Sequence, residues 1–183
     1  MTLTIVKSEI PGVLVIEPTV FSDDRGFFYE SYNERAFGAA LGPDAHFVQD
    51  NHSRSARDVL RGLHYQIRQP QGKLVRVTAG EIYDVAVDIR RSSPTFGKWT
   101  AAVLSAANKK MCWVPPGFAH GFLVVSDHAE VQYKTTDYYA PEHECCIVWN
   151  DRDLAISWPI KGEPILSQKD RTGRPLREAE IFP

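Results

Sequence analysis

The feature that most limits the fold of this chain is its rhythm of short apolar, β-branched and aromatic runs, each cut by Gly, Pro, Asn or Asp. Such runs read as strands bounded by turns. Residues 13–16 form one, closed by Pro18, and Phe27-Phe28-Tyr29 form another, entered through the turn Asp23-Asp24-Arg25-Gly26. Residues 74–78 and 82–89 flank Ala79-Gly80-Glu81 and predict a hairpin. Residues 99–104, 111–114, 122–125 and 130–135 continue the series. Strands at this spacing predict a mainly β chain, folded as a sandwich or barrel. One helix is expected over residues 35–41, behind a capping box at Ser31-Tyr32-Asn33-Glu34, and a second short one near residues 177–181. The Pro-, Gly- and charge-rich stretch 158–175 reads as loop laid over the barrel. With no repeat or long linker, a length of 183 residues predicts a single domain over 1–183.

Charge narrows the partners. The formal net charge is −2, and the 21 basic and 23 acidic residues are spread along the chain. No basic tract points to nucleic acid, so an anionic ligand needs a local site built from a few converging Arg and Lys side chains. The three cysteines, Cys112, Cys145 and Cys146, are odd in number and contain no CxxC pair. They form neither a disulfide framework nor a zinc site, and read as inert thiols of a reducing compartment. Met1-Thr2-Leu3-Thr4-Ile5-Val6-Lys7 has no basic start and no long apolar run. No signal peptide or membrane span is expected, and the expected location is the cytoplasm.

Two clusters carry chemistry. One is Leu60-Arg61-Gly62-Leu63-His64-Tyr65-Gln66 with Gln71-Gly72-Lys73; the other runs Pro115-Pro116-Gly117-Phe118-Ala119-His120. The spacing of Pro115, Gly117 and His120 resembles the second motif of the cupin superfamily, whose fold is a jelly roll. Metal-binding cupins carry His-x-His and a carboxylate in the first motif. Here Gln66 replaces the second His, and Gln69, Gln71 and Lys73 stand where the carboxylate is expected. No metal is therefore expected, since a divalent ion usually takes at least three protein ligands. His, Lys and Tyr suit proton chemistry instead. A neutral imidazole can take a proton from carbon beside a ketone, a lysine cation can steady the enolate, and a phenol can return a proton from the other face. Strand alternation puts Tyr133 with Ala129 and Val131, and Lys73 with Val75 and Val77, on inward faces. Arg61 and His64, three apart, face oppositely in a regular strand unless Gly62 allows a bulge. Taken singly, His64 also reads as a satisfied core histidine, His120 as a turn cap, Tyr139 as a packing aromatic, and Arg25 and Arg61 as ordinary ion-pair partners.

Seven blocks in order tip the balance. They are Asp24-Arg25-Gly26-Phe27-Phe28, Leu60-Arg61-Gly62-Leu63-His64, Gln71-Gly72-Lys73, Ser93-Pro94-Thr95-Phe96-Gly97-Lys98-Trp99, Pro116-Gly117-Phe118-Ala119-His120-Gly121-Phe122, Tyr133-Lys134-Thr135-Thr136-Asp137-Tyr138-Tyr139 and Ile165-Leu166-Ser167-Gln168-Lys169-Asp170. Over about residues 5–175 the chain resembles the dTDP-4-dehydrorhamnose 3,5-epimerase family. The resemblance implies a homodimeric jelly roll that uses no cofactor and inverts C3 and C5 of a dTDP-4-keto sugar on the way to dTDP-L-rhamnose. It makes His64 the base, Asp170 the group that orients it, Lys73 the enolate stabiliser and Tyr133 the proton donor. Tyr139 would stack on thymine. Arg25, Glu30, Gln49, Asn51, Arg61, His120, Glu144 and Lys169 match substrate-contacting positions, with Glu142 a rival for Glu144. The family's habit of exchanging N-terminal segments assigns Arg25 and Glu30 to the neighbouring subunit's site. Tyr133 favours inversion at C5, as the donor that single-centre relatives lack or move. The rivals are a single-centre epimerase or 3,4-ketoisomerase, and a non-catalytic cupin-like module that only binds a sugar nucleotide.

Overall fold

The computed structural model describes residues 3–42 and 45–183; Met1 and Thr2, part of the N-terminal stretch read for a leader, lie outside them. In chain order the strands are β1 Leu3–Lys7, β2 Leu14–Pro18, β3 Phe21–Asp23, β4 Gly26–Phe28, β5 Gln49–Ala56, β6 Leu60–Gln66 and β7 Lys73–Ala79. They continue as β8 Glu81–Asp88, β9 Trp99–Ser105, β10 Met111–Val114, β11 Phe118–Val124, β12 His128–Thr135 and β13 Glu144–Cys146. Helix α1 spans Glu34–Leu41 and helix α2 Gln168–Arg171. The strands form a six-stranded sheet ordered β1-β2-β10-β7-β12-β5 and a five-stranded sheet ordered β13-β6-β11-β8-β9, with β3 and β4 as a separate hairpin. This is the jelly roll that the resemblance implies.

The inner faces of the two sheets close on one core, with Val75, Val77 and Val131 from one sheet against Ile82, Ala86 and Phe122 from the other. Both sheets are also covered outside. Leu63, Tyr65, Val85 and Val87 meet Ile147, Leu154 and Leu176 of the C-terminal segment. On the other side, Ile16, Leu74 and Met111 meet Phe37 of α1. Double coverage explains why β8 and β11 read as nearly continuous apolar runs rather than alternating ones.

Three expectations are corrected. The segment around Ala79-Gly80-Glu81 is not a hairpin, because β7 and β8 belong to different sheets. Gly80, at φ 72°, turns the corner between them where a Cβ would collide with the His128 carbonyl. Helix α1 is capped by Asn33, not Ser31: the Asn33 Oδ1 accepts the Ala36 N–H at 3.1 Å. Tyr32 then packs on Phe37 with ring centroids 5.3 Å apart, a hydrophobic staple that selects this start. The stretch 158–175 does lie over the five-stranded sheet through Trp158, but it also contains α2. Near residues 177–181 there is a single 3-10 turn, Leu176–Glu178.

Candidate active site

The two sheets part at one end around a cavity of about 340 Å³. The polar strand β5 contributes Gln49 and Asn51, β6 contributes Arg61 and His64, and β7 contributes Lys73. His120 enters from β11, Tyr133 from β12, and Tyr139, Glu144 and Lys169 from later segments. Lys73 is 8 % exposed and Tyr133 packs against the inner core, as the alternation predicts.

The spacing of Arg61 and His64 is resolved by a bulge. His120 pairs with His64 and Phe122 with Arg61, so Gly62 and Leu63 together oppose Gly121 alone. The extra residue turns both side chains to the cavity. Gly62 has φ 121°, and a Cβ there would lie 2.6 Å from the Gly121 Cα and the His120 carbonyl oxygen. Only glycine fits. The Gly62–Leu63 peptide is cis.

Behind His64 sits Asp170. Its Oδ1 lies 2.5 Å from His64 Nε2 and accepts the Gly62 N–H at 3.2 Å; its Oδ2 accepts the Ser167 hydroxyl at 2.6 Å. Ser167 caps α2 by accepting the Asp170 N–H, so one short turn of helix presents the carboxylate. Burial pushes the Asp170 carboxyl up, but hydrogen bonds from His64 and Ser167 prevail and hold it at about 2. Burial moves His64 the other way, below its usual 6.5; Asp170 opposes this, while the Lys169 and Lys73 cations reinforce it. The imidazole is thus neutral at pH 7 and backed by a fixed anion.

Lys73 Nζ donates to the His64 carbonyl at 3.1 Å. Burial lowers its ammonium to about 8, with Glu144 and Asp84 pulling upward. Tyr133 is raised, chiefly by burial, so the phenol keeps its proton. At the rim, Lys169 Nζ meets Glu144 Oε1 at 2.7 Å, and the Tyr139 hydroxyl donates to Glu144 Oε2 at 2.9 Å. Glu144, not Glu142, lines the cavity. Arg61 Nε donates to Ser55 Oγ at 2.9 Å.

His120 is no turn cap. It lies within β11, and its Nε2 is 2.8 Å from the fully buried carboxylate of Asp84, whose Oδ1 has no hydrogen-bond partner among the described residues. Sequence reasoning missed Asp84. Its signal was an acid inside the apolar run Ile82-Tyr83-Asp84-Val85-Ala86-Val87. Arg25 and Glu30 do not reach this cavity. Arg25 is exposed and pairs with Asp23 at 2.5 Å, and Glu30 Oε1 accepts from Asn33 at 3.2 Å.

His64, Asp170 and Cys146 place three donor atoms within 4.8 Å of one another. The 2.5 Å between Nε2 and Oδ1 is a hydrogen-bond spacing, well short of the roughly 3.3 Å separating two ligands on tetrahedral zinc. The Cys146 thiol, pushed by burial and then by Asp170 to about 12, keeps its proton. The cluster fits a proton-transfer pair better than an ion.

Comparison with known proteins agrees with this chemistry. The sequence model of dTDP-4-dehydrorhamnose 3,5-epimerases matches residues 7–178. A dTDP-4-dehydrorhamnose 3,5-epimerase of Pseudomonas aeruginosa is 65% identical over 174 residues, covering 95% of this chain and 96% of its own. The crystal structure of a 3,5-epimerase from Legionella pneumophila, in complex with dTDP-4-keto-L-rhamnose, superposes with a TM-score of 0.95 at 50% identity, covering 98% of this chain and 95% of that one. A 3'-monoepimerase of Streptomyces bikiniensis, bound to dTDP-quinovose, is 35% identical with a TM-score of 0.88, covering 93% and 86%. The fold and these likenesses coincide: the chain belongs to the dTDP-4-dehydrorhamnose 3,5-epimerase family.

Proposed function

We propose that this chain is an isomerase that converts dTDP-4-dehydro-6-deoxy-D-glucose to dTDP-4-dehydro-L-rhamnose, a step of dTDP-L-rhamnose biosynthesis. The observation that carries the reading is a neutral, Asp170-backed His64 sharing one cavity with Lys73 and Tyr133, which enter from the opposing sheet. The 4-keto group acidifies C3 and C5 alike. His64 removes a proton from carbon, and Asp170 stabilises the imidazolium that forms. Lys73, cationic at neutral pH, steadies the enolate oxygen. Tyr133 returns a proton to the opposite face, which inverts the centre. None of these steps calls for a metal or organic cofactor.

Tyr139 stacks on the thymine, and Arg61, Lys169 and His120 with the amides Gln49 and Asn51 hold the nucleotide and sugar, Arg61 taking the diphosphate. Arg25 and Glu30 act on a second copy. They lie on or beside a hairpin that leaves Phe21, Phe27 and Phe28 each more than half exposed, and such a patch fits an arm docked in a homodimer. The expected setting is the cytoplasm; among the described residues no helix is long and apolar enough to cross a membrane.

Tyr133 does not by itself decide between one centre and two. A crystallised variant of the Streptomyces monoepimerase has one histidine and one tyrosine replaced, so a His–Tyr pair occurs in that class also. The two-centre reading rests on the closer likeness to 3,5-epimerases, 65% and 50% against 35% identity. Incubation with dTDP-4-dehydro-6-deoxy-D-glucose in deuterium oxide tests it. Deuterium at both C3 and C5, with the L-rhamno configuration after reduction, is the expected result. Label at C3 alone gives the single-centre alternative, and no label the binding module.

A further inference from the structure

Gln66 stands where a metal-binding cupin has its second histidine, and the chemistry above gives it nothing to do. It is 4 % exposed, and its amide makes three hydrogen bonds. Nε2 donates to the Gln69 carbonyl at 2.8 Å and to the Tyr138 carbonyl at 3.2 Å, while Oε1 accepts the Ala140 N–H at 2.9 Å. A buried primary amide with both N–H groups and its oxygen engaged has one orientation. Two of its partners are the neighbours of Tyr139 on either side.

The residues just before are gripped in the same manner. Gln71 Nε2 donates to the Asp137 carbonyl at 2.8 Å, and Gly72 N–H donates to Thr136 Oγ1 at 2.8 Å. Tyr139 itself is 53 % exposed, so burial contributes little to fixing its ring. Its place at the rim is set by the backbone on which it rides, where its own N–H donates to Gln49 Oε1 at 3.0 Å, and by its hydroxyl's bond to Glu144. None of the hydrogen bonds of Gln66 goes to His64, Lys73, Tyr133 or Asp170.

We propose that Gln66 is a positioning residue for the nucleotide base: its amide clamps Tyr138 and Ala140 and so pre-forms the ledge on which Tyr139 meets a pyrimidine. The inference rests on the reading of Tyr139 as the base-stacking residue and deepens it. A segment already ordered in the free protein does not have to be ordered on binding, which favours affinity. All three bonds of the clamp are made by groups that do not titrate, so it acts alike across the pH range of the enzyme. Its loss is felt in binding rather than in proton transfer.

Calorimetric titration with dTDP and initial-rate kinetics separate those two effects. Gln66→Met keeps the side-chain length and removes all three bonds. The expected result is about a tenfold rise in the dTDP dissociation constant and in KM, with kcat within about twofold and an unchanged pH profile. Gln66→Asn keeps an uncharged amide one methylene short of its partners and should fall between; it replaces the Met variant if that chain does not fold. Tyr139→Ala should weaken dTDP on its own, and in that background Gln66→Met should add less than about twofold. A neutral Tyr139→Ala defeats the base-stacking reading, and this inference with it. A damaging Tyr139→Ala beside neutral Gln66 variants overturns the clamp alone. So does loss of kcat at constant KM, or failure of both Gln66 variants to fold, which would assign the amide to chemistry or to the fold.

Discussion

Replacing Asp170 by Asn removes a charge from behind the base while leaving its shape. In the parent, the carboxylate faces His64 Nε2 at 2.5 Å, with side chains 23 % and 3 % exposed. When His64 takes a proton, an ion pair forms whose charge centres lie about 4 Å apart. At an effective dielectric constant of about 20 their attraction is about 4 kcal/mol. Asparagine keeps an acceptor for Ser167 or Gly62 but contributes almost none of that attraction. Proton abstraction should therefore slow by about 10³-fold, since each 1.36 kcal/mol is tenfold in rate. The assay is deuterium wash-in at C3 and C5 under single-turnover conditions, with dTDP binding measured alongside. Wash-in within tenfold of the parent would refute the assignment of Asp170 as the stabilising anion. Stability adds a signature. Because the folded carboxyl lies below its ordinary 3.8, its contribution is present above that value and is lost as pH falls toward 2. The shift corresponds to about 2 kcal/mol, so the stability gap between parent and Asp170→Asn should narrow between pH 5 and 2.

Other expectations follow from the same geometry. The exchange rate should fall at acid pH below 6.5, as His64 protonates, and again near pH 8, as Lys73 loses its charge; an alkaline limb that persists in the residual activity of Lys73→Met belongs to another group. Tyr133→Phe should spare proton exchange more than net inversion, and equal loss of both would argue against its role as donor. Gly62→Ala places a Cβ 2.6 Å from backbone atoms at φ 121° and should cost at least 2 kcal/mol in denaturant melts, with activity lost as the bulge shifts. Chelators should leave turnover unchanged; a chelation-sensitive enzyme would reopen the cluster of His64, Cys146 and Asp170 as an ion site.

The strands legible in the sequence are those that build the core. Residues 74–78, 82–89, 99–104 and 111–114 lie within or almost coincide with β7, β8, β9 and β10, because apolar β-branched runs have nowhere to go but between layers. Apart from β6, which its motif residues and Gly62 disguised, the strands that escaped notice are polar or peripheral. β5 reads Gln-Asp-Asn-His-Ser-Arg-Ser-Ala, and it alternates between a wet cavity and solvent instead of between core and solvent. β1 and β13 are sheet edges, and α2 is a single turn held by Ser167. The predicted start of β11 at Phe122 came four residues late, since the Pro116-Gly117 turn signal concealed a strand buried along its whole length.

By itself, then, the chain determined a mainly β sandwich or barrel, the inward faces of Lys73 and Tyr133, and the residue types of a base, a cation and a donor. Those follow from local periodicity, which a sequence carries openly. Periodicity could not say which histidine meets which acid: the family resemblance alone placed Asp170 behind His64, and the tertiary structure decided that His120 meets Asp84. His64 and Asp170 are 106 residues apart, and His120 and Asp84 come together across two adjacent strands. It also decided that Arg61 and His64 share a cavity, through a bulge visible only once Gly121 lies against Gly62. Pairing of distant side chains depends on sheet order and register. Those are settled by how whole faces are buried, and no short stretch of sequence contains that information.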